Sequence, residues 1–113
     1  MESRKVTPDE ARLLTELAAI AGIRTPSDWV QTLRVRSMED GGMGSLQFET
    51  AAPTVVACDS IVCRAAVQFT DADGIEVIAS LNARNGGEPF ELDVWKTDFS
   101  SLIRIPQQFR RLM

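Results

Sequence analysis

The side chains able to do chemistry in this chain are few and mostly acidic. There is no histidine and no tyrosine, which removes imidazole general bases, Ser-His-Asp and Cys-His nucleophile pairs, and histidine-ligated metals. What remains is a set of carboxylates, two lysines (Lys5 and Lys96) and two cysteines (Cys58 and Cys63). With no apolar secretory core behind Met1-Glu2-Ser3-Arg4-Lys5, the cysteines read as buried, reduced structural thiols of a cytoplasmic protein. Two thiolates without histidine are a poor start for a tetrahedral zinc set. No metal, no cofactor and no catalytic residue is expected on this reading.

Three short motifs invite a chemical interpretation. Asp71-Ala72-Asp73-Gly74 opens like a calcium loop, but the last position of such a loop, where a bidentate glutamate belongs, is Asn82 within a strand pattern. A hairpin turn is the expectation instead. Asp40-Gly41-Gly42-Met43-Gly44 is glycine-rich, yet it has neither the lysine of a phosphate-binding loop nor a helix pattern after it. Glu91 and Asp93 stand two apart on a strand pattern, the spacing of a carboxylate pair on one face.

These residues must be carried by one domain, since 113 residues suffice for a single core and leave no room for a second. An apolar fraction of 44% and a charged fraction of 25% are those of an ordinary globular chain. The longest uncharged stretch, Thr50 to Cys58, is about half the length of a spanning helix, so no membrane contact is expected.

Thr7-Pro8-Asp9-Glu10 predicts a helix start: a capping threonine, proline at the first helical position and glutamate three residues after the cap. Leu13, Leu14, Leu17, Ile20 and Ala21 follow at helical spacing until Gly22. A shorter second helix is expected from Thr25-Pro26-Ser27-Asp28 through Trp29, Val30 and Leu33. From Arg34 the period changes to two, and Arg34–Met38 and Ser45–Glu49 read as a hairpin around the glycine-rich turn. Ala51 to Val62 reads as a loop or partial strand covering the sheet. Three strands come next, Arg64–Thr70, Ile75–Arg84 and Pro89–Thr97, joined by turns at Asp71–Gly74 and Asn85–Glu88. Asp98 is expected to cap a helical turn over Phe99–Ile103 that Pro106 ends. The sum is a two-layer α+β domain, with N-terminal helices packed on one face of an antiparallel meander of about four to five strands.

Alternation separates the faces of the last two strands. Ile75, Val77, Ala79 and Leu81 with Phe90, Leu92 and Val94 form the side that meets the helices. The other side carries Glu76, Ile78, Ser80, Asn82, Glu91, Asp93 and Trp95, an acidic face with a tryptophan that has no evident core role. From Ser37 to Asp98 there are eleven acids against Arg64, Arg84 and Lys96, which disfavours nucleic acid as a ligand. Arg104, Arg110 and Arg111 form only a small basic patch that complements the acids.

The stretches Asp40-Gly41-Gly42-Met43-Gly44-Ser45-Leu46, Phe69-Thr70-Asp71-Ala72-Asp73-Gly74 and Phe90-Glu91-Leu92-Asp93-Val94-Trp95-Lys96-Thr97-Asp98-Phe99 together resemble a family of small bacterial domains of unknown function. The resemblance runs from about Thr7 to Pro106, and implies bacterial origin and a stand-alone domain without assigning any residue a role. In size, charge and layout the chain also resembles immunity proteins of bacterial toxin systems, which occupy the surface of a basic toxin.

The expected function is therefore a protein-binding module of the immunity or antitoxin type and not an enzyme. Trp95 would be its anchor, and Glu91, Asp93, Glu76 and Asn82 would surround it. From other classes come a carboxylate- or metal-dependent enzyme built on Asp40, Asp71, Asp73, Glu91 or Asp93, and a homodimer pairing through the last strand as an exposed edge.

Overall fold

The structure, a computed structural model, describes residues 3–49, 61–84 and 89–112. The readings made for Cys58, for the turn over 85–88 and for most of the stretch from Ala51 lie outside those residues, whereas Cys63, expected to be buried, is exposed.

Helix α1 (Pro8–Ala21) begins where its sequence says it should. The Thr7 hydroxyl accepts from the Glu10 N–H at 3.1 Å and the Glu10 carboxylate accepts from the Thr7 N–H at 2.8 Å, so two otherwise orphaned donors are satisfied. Gly22 ends the helix in the left-handed region at φ 69°, a conformation that costs glycine little. Leu13, Leu14, Leu17 and Ala18 are buried. Helix α2 is only Trp29–Thr32, and Trp29 meets Phe48 edge-on at 6.1 Å.

Strands β1 (Arg4–Lys5), β2 (Arg34–Ser37), β3 (Leu46–Phe48), β4 (Ile61–Thr70), β5 (Glu76–Arg84), β6 (Pro89–Lys96) and β7 (Arg110–Arg111) form one antiparallel sheet in the order β1-β2-β3-β6-β5-β4-β7. That is more than the four to five expected. The two extra strands are two residues each, too short to show a period of two. The β4-β5-β6 meander and the β2-β3 hairpin are as anticipated, but β3 joins the sheet beside β6, with Leu46 opposite Leu92. The last long strand is therefore interior, which corrects the expectation that it is an exposed edge.

The core lies between α1 and the inner face of the sheet, where Leu13, Leu14 and Leu17 pack with Val67, Phe69, Val77, Ala79, Leu81, Leu92 and Val94. Ile75 and Phe90, expected on this face, are half-buried. Phe90 lies where the β5–β6 register shifts, beneath the Arg84 guanidinium. The helical turn expected at Phe99–Ile103 is absent. Phe99 takes φ 64°, which right-handed helix forbids. The N–H groups of Leu102, Ile103 and Arg104 donate instead to the Gly42 carbonyl and the Asp71 carboxylate. This segment crosses the end of the sheet, and Arg12 of α1 fastens it by donating to the Ile105 and Pro106 carbonyls.

Candidate functional site

Strand pairing decides which side chains share the outer face. Asn82 is opposite Glu91, Ser80 opposite Asp93 and Ile78 opposite Trp95, so the five residues singled out in the sequence, Trp95, Glu91, Asp93, Glu76 and Asn82, do lie on one face. They are not equally free. The Asn82 amide donates to Glu91 at 3.1 Å. Gln68 and Thr70 both donate to Glu76, at 2.7 and 2.9 Å. Asp93 is exposed, with the Ser45 hydroxyl 3.4 Å from its Oδ1. At the margins of the face Arg36 stands opposite Gln47 and Arg110 opposite Gln68, so acids occupy its middle and arginines its edges.

Trp95 is 41% exposed and Phe99 is 68% exposed, and their rings lie 6.3 Å apart at 56°. Phe99 was not singled out in the sequence. A tight turn brings it back toward Trp95, its N–H donating to the Lys96 carbonyl at 2.8 Å. It does so at a positive φ that a bulky residue adopts at a cost of about 1–3 kcal/mol. An exposed aromatic ring gains no burial to offset that strain, and such outliers cluster where a side chain has to be presented. Asp98, next to it, accepts from the Ser100 hydroxyl and N–H at 2.6 and 3.0 Å, and those bonds hold its pKa below the ordinary carboxylate value.

The other carboxylates of interest serve a different purpose. Lys96 faces the core with no exposed surface, and its ammonium donates to Asp71 at 2.9 Å, Asp73 at 2.6 Å and the Ser101 carbonyl at 3.0 Å. All three of its hydrogens are used. Asp71, also buried, accepts in addition from the N–H groups of Ala72, Ile103 and Arg104. Burial raises the Asp71 pKa, but the bonds from Ile103, Lys96, Ala72 and Arg104 outweigh it and leave the pKa lowered. Burial likewise works against the Lys96 charge, yet the contacts with Asp73 and Asp71 prevail and raise its pKa above 10.5. The cluster ties the β4–β5 turn and the end of β6 to the crossing segment, and its buried members Lys96 and Asp71 are bonded to the protein's own groups.

Asp40 likewise spends its carboxylate on its own loop, accepting from the Met43 and Ser45 N–H groups. The glycine-rich segment is thus built as a turn. Gly42 and Gly44 sit at φ 81° and 104°, and a Cβ on Gly42 would come 2.9 Å from the Ser101 hydroxyl. Among the described residues no group of three or more His, Cys, Asp or Glu side chains is placed to hold a metal. The five carboxylates proposed for an enzyme divide between the Lys96 cluster, the Asp40 loop and the outer face. Among the described residues no helix is long and apolar enough to cross a membrane.

Fold and site together define a small α+β domain with helices against one face of its sheet and an exposed aromatic pair on the other. Residues 3–106 match a family described as a domain of unknown function, DUF6984, and the chain belongs to that family. No curated protein and no solved structure matches it.

Proposed function

We propose that this domain is a cytoplasmic bacterial protein-binding module of the immunity or antitoxin type, which blocks a basic partner protein by docking it on the outer sheet face. The observation that carries the reading is the Trp95–Phe99 pair, two exposed rings in mutual contact, one of them at a positive φ. Aromatic anchors of this kind supply most of the energy of protein interfaces, because a large apolar surface is buried with little loss of rotamer freedom.

Charge favours a basic partner. Glu91, Asp93 and Asp98 lie along the strand that presents Trp95 and just beyond it, and the chain as a whole carries −4. Carboxylates around a hydrophobic anchor accelerate encounter with a basic surface and penalise acidic ones. The test is to capture the partner with the tagged chain from the native bacterium and titrate it against Glu91→Lys/Asp93→Lys. The double variant folds normally, associates at least about tenfold more slowly at low salt and loses most of the salt dependence. An unchanged association rate would refute the electrostatic role of this face.

A further inference from the structure

We infer that the groove between Glu76 and Arg110, at the β4–β7 edge of the outer face, is a binding site for a small zwitterion of the α-amino acid type. The groove has a volume of 450 Å³ and is lined by Gln68, Phe69, Thr70, Glu76, Phe109 and Arg110 among others. That lies within the range of about 300–1,000 Å³ usual for small-ligand sites.

The two ends of the groove are oppositely charged, and neither charge is spent on the other. Glu76 accepts from Thr70 at one carboxylate oxygen and from Gln68 at the other. One lone pair of each oxygen is thereby used, the group is fixed in orientation, and the second pair of each stays available. Two neutral donors leave its negative charge uncompensated, so the complement it lacks is a cation. Arg110 is brought to the groove by its register opposite Gln68. Among the described residues its guanidinium has no hydrogen-bond or ion-pair partner. A planar fork of donors in that state matches a carboxylate.

A ligand with an ammonium and a carboxylate on one carbon engages both ends at once. The Gln68 carbonyl, free because the amide NH₂ is the group that binds Glu76, accepts a further ammonium hydrogen. Phe109, which also borders the groove, turns its ring to the core, edge-on against Phe69 at 5.8 Å, and so fixes the backbone that carries Arg110. The site stands apart from the aromatic pair, with Ile78 between Gln68 and Trp95 across the sheet.

Calorimetric titration with the common L-amino acids, each beside its N-acetylated and its C-amidated form, tests the assignment. At least one free amino acid binds in the millimolar range or tighter, and each blocked form binds at least about tenfold more weakly. Glu76→Gln, which can still accept from Gln68 while its NH₂ donates to the Thr70 hydroxyl instead of accepting from it, and Arg110→Gln on the exposed edge each weaken binding to the same extent. Trp95→Ala leaves it unchanged, which separates this site from the docking surface. Absence of binding by every amino acid at millimolar concentrations, or equal binding of free and blocked forms, would overturn the inference. Should Glu76→Gln disturb folding, undiminished binding by Arg110→Gln would overturn it as well.

Discussion

Replacing Asp71 by alanine attacks the point where three segments of the chain meet. The carboxylate accepts four hydrogen bonds of 2.7–2.9 Å, from Ala72, Ile103, Arg104 and Lys96. Its loss leaves a buried ammonium and the N–H groups of Ile103 and Arg104 short of a partner. Removing one side of a buried ion pair costs about 3–5 kcal/mol. The lower end applies, because Asp73, with 34% of its side chain exposed, stays bonded to Lys96. A loss of about 3 kcal/mol is a large part of the roughly 5–15 kcal/mol that stabilises a domain of this size. It lowers Tm by about 12 °C, at about 4 °C per kcal/mol.

Urea unfolding followed by the fluorescence of Trp29 and Trp95 measures that loss directly, and pH supplies a second readout. The folded pKa of Asp71 is lowered, so its contribution is complete above the unfolded value of about 3.9 and is lost as pH falls through the folded pKa. The gap between wild type and variant therefore narrows below about pH 4. For Lys96 the sign reverses. Its folded pKa is raised, so its contribution is complete below about pH 10.4 and is lost as pH rises through the folded value. Adding Lys96→Met to Asp71→Ala removes the stranded charge and recovers part of the stability. A midpoint shift equivalent to less than about 1 kcal/mol, far below the cost of breaking a buried pair, would refute the structural role of the cluster. So would a double variant less stable than Asp71→Ala alone.

Two further outcomes follow from named contacts. Thr7→Ala removes the hydroxyl that caps α1 and costs about 1 kcal/mol in urea unfolding; a change within about 0.2 kcal/mol would mean the cap is replaced by water at no cost. Phe99→Gly relieves the positive φ and leaves the urea midpoint unchanged or raised, while the captured partner binds at least about tenfold more weakly. A variant that loses stability and keeps affinity would place Phe99 in the fold and not in the interface.

The parts of the fold with strong local signals could be read from the chain. The capping box at Thr7 and Glu10 and the glycine at position 22 bounded α1, and the period of two located β2 through β6 with ends displaced by up to a few residues. Pairing of β3 with β6 is a long-range choice, set by packing of Leu46 against Leu92, and no local pattern announces it. The helical turn expected after Asp98 failed because Asp71 and Gly42 take up the N–H groups of residues 102–104, partners distant in sequence. Parity alone grouped Trp95, Glu91, Asp93, Glu76 and Asn82. Phe99 was missed because its exposure depends on a turn with a positive φ at a residue that rarely adopts one. The Lys96 cluster did leave a trace: Leu92, Val94 and Lys96 share the core parity of β6, and a lysine there needs a carboxylate partner.

Titration of the captured partner against wild type and Trp95→Ala by calorimetry tests the central claim most directly. Trp95 is exposed and on the face opposite the core, so the variant keeps its urea midpoint. Removal of an interface anchor costs at least about 2 kcal/mol, roughly a thirtyfold weaker Kd. A folded Trp95→Ala protein that binds as tightly as wild type would contradict the account and move the interface off this face.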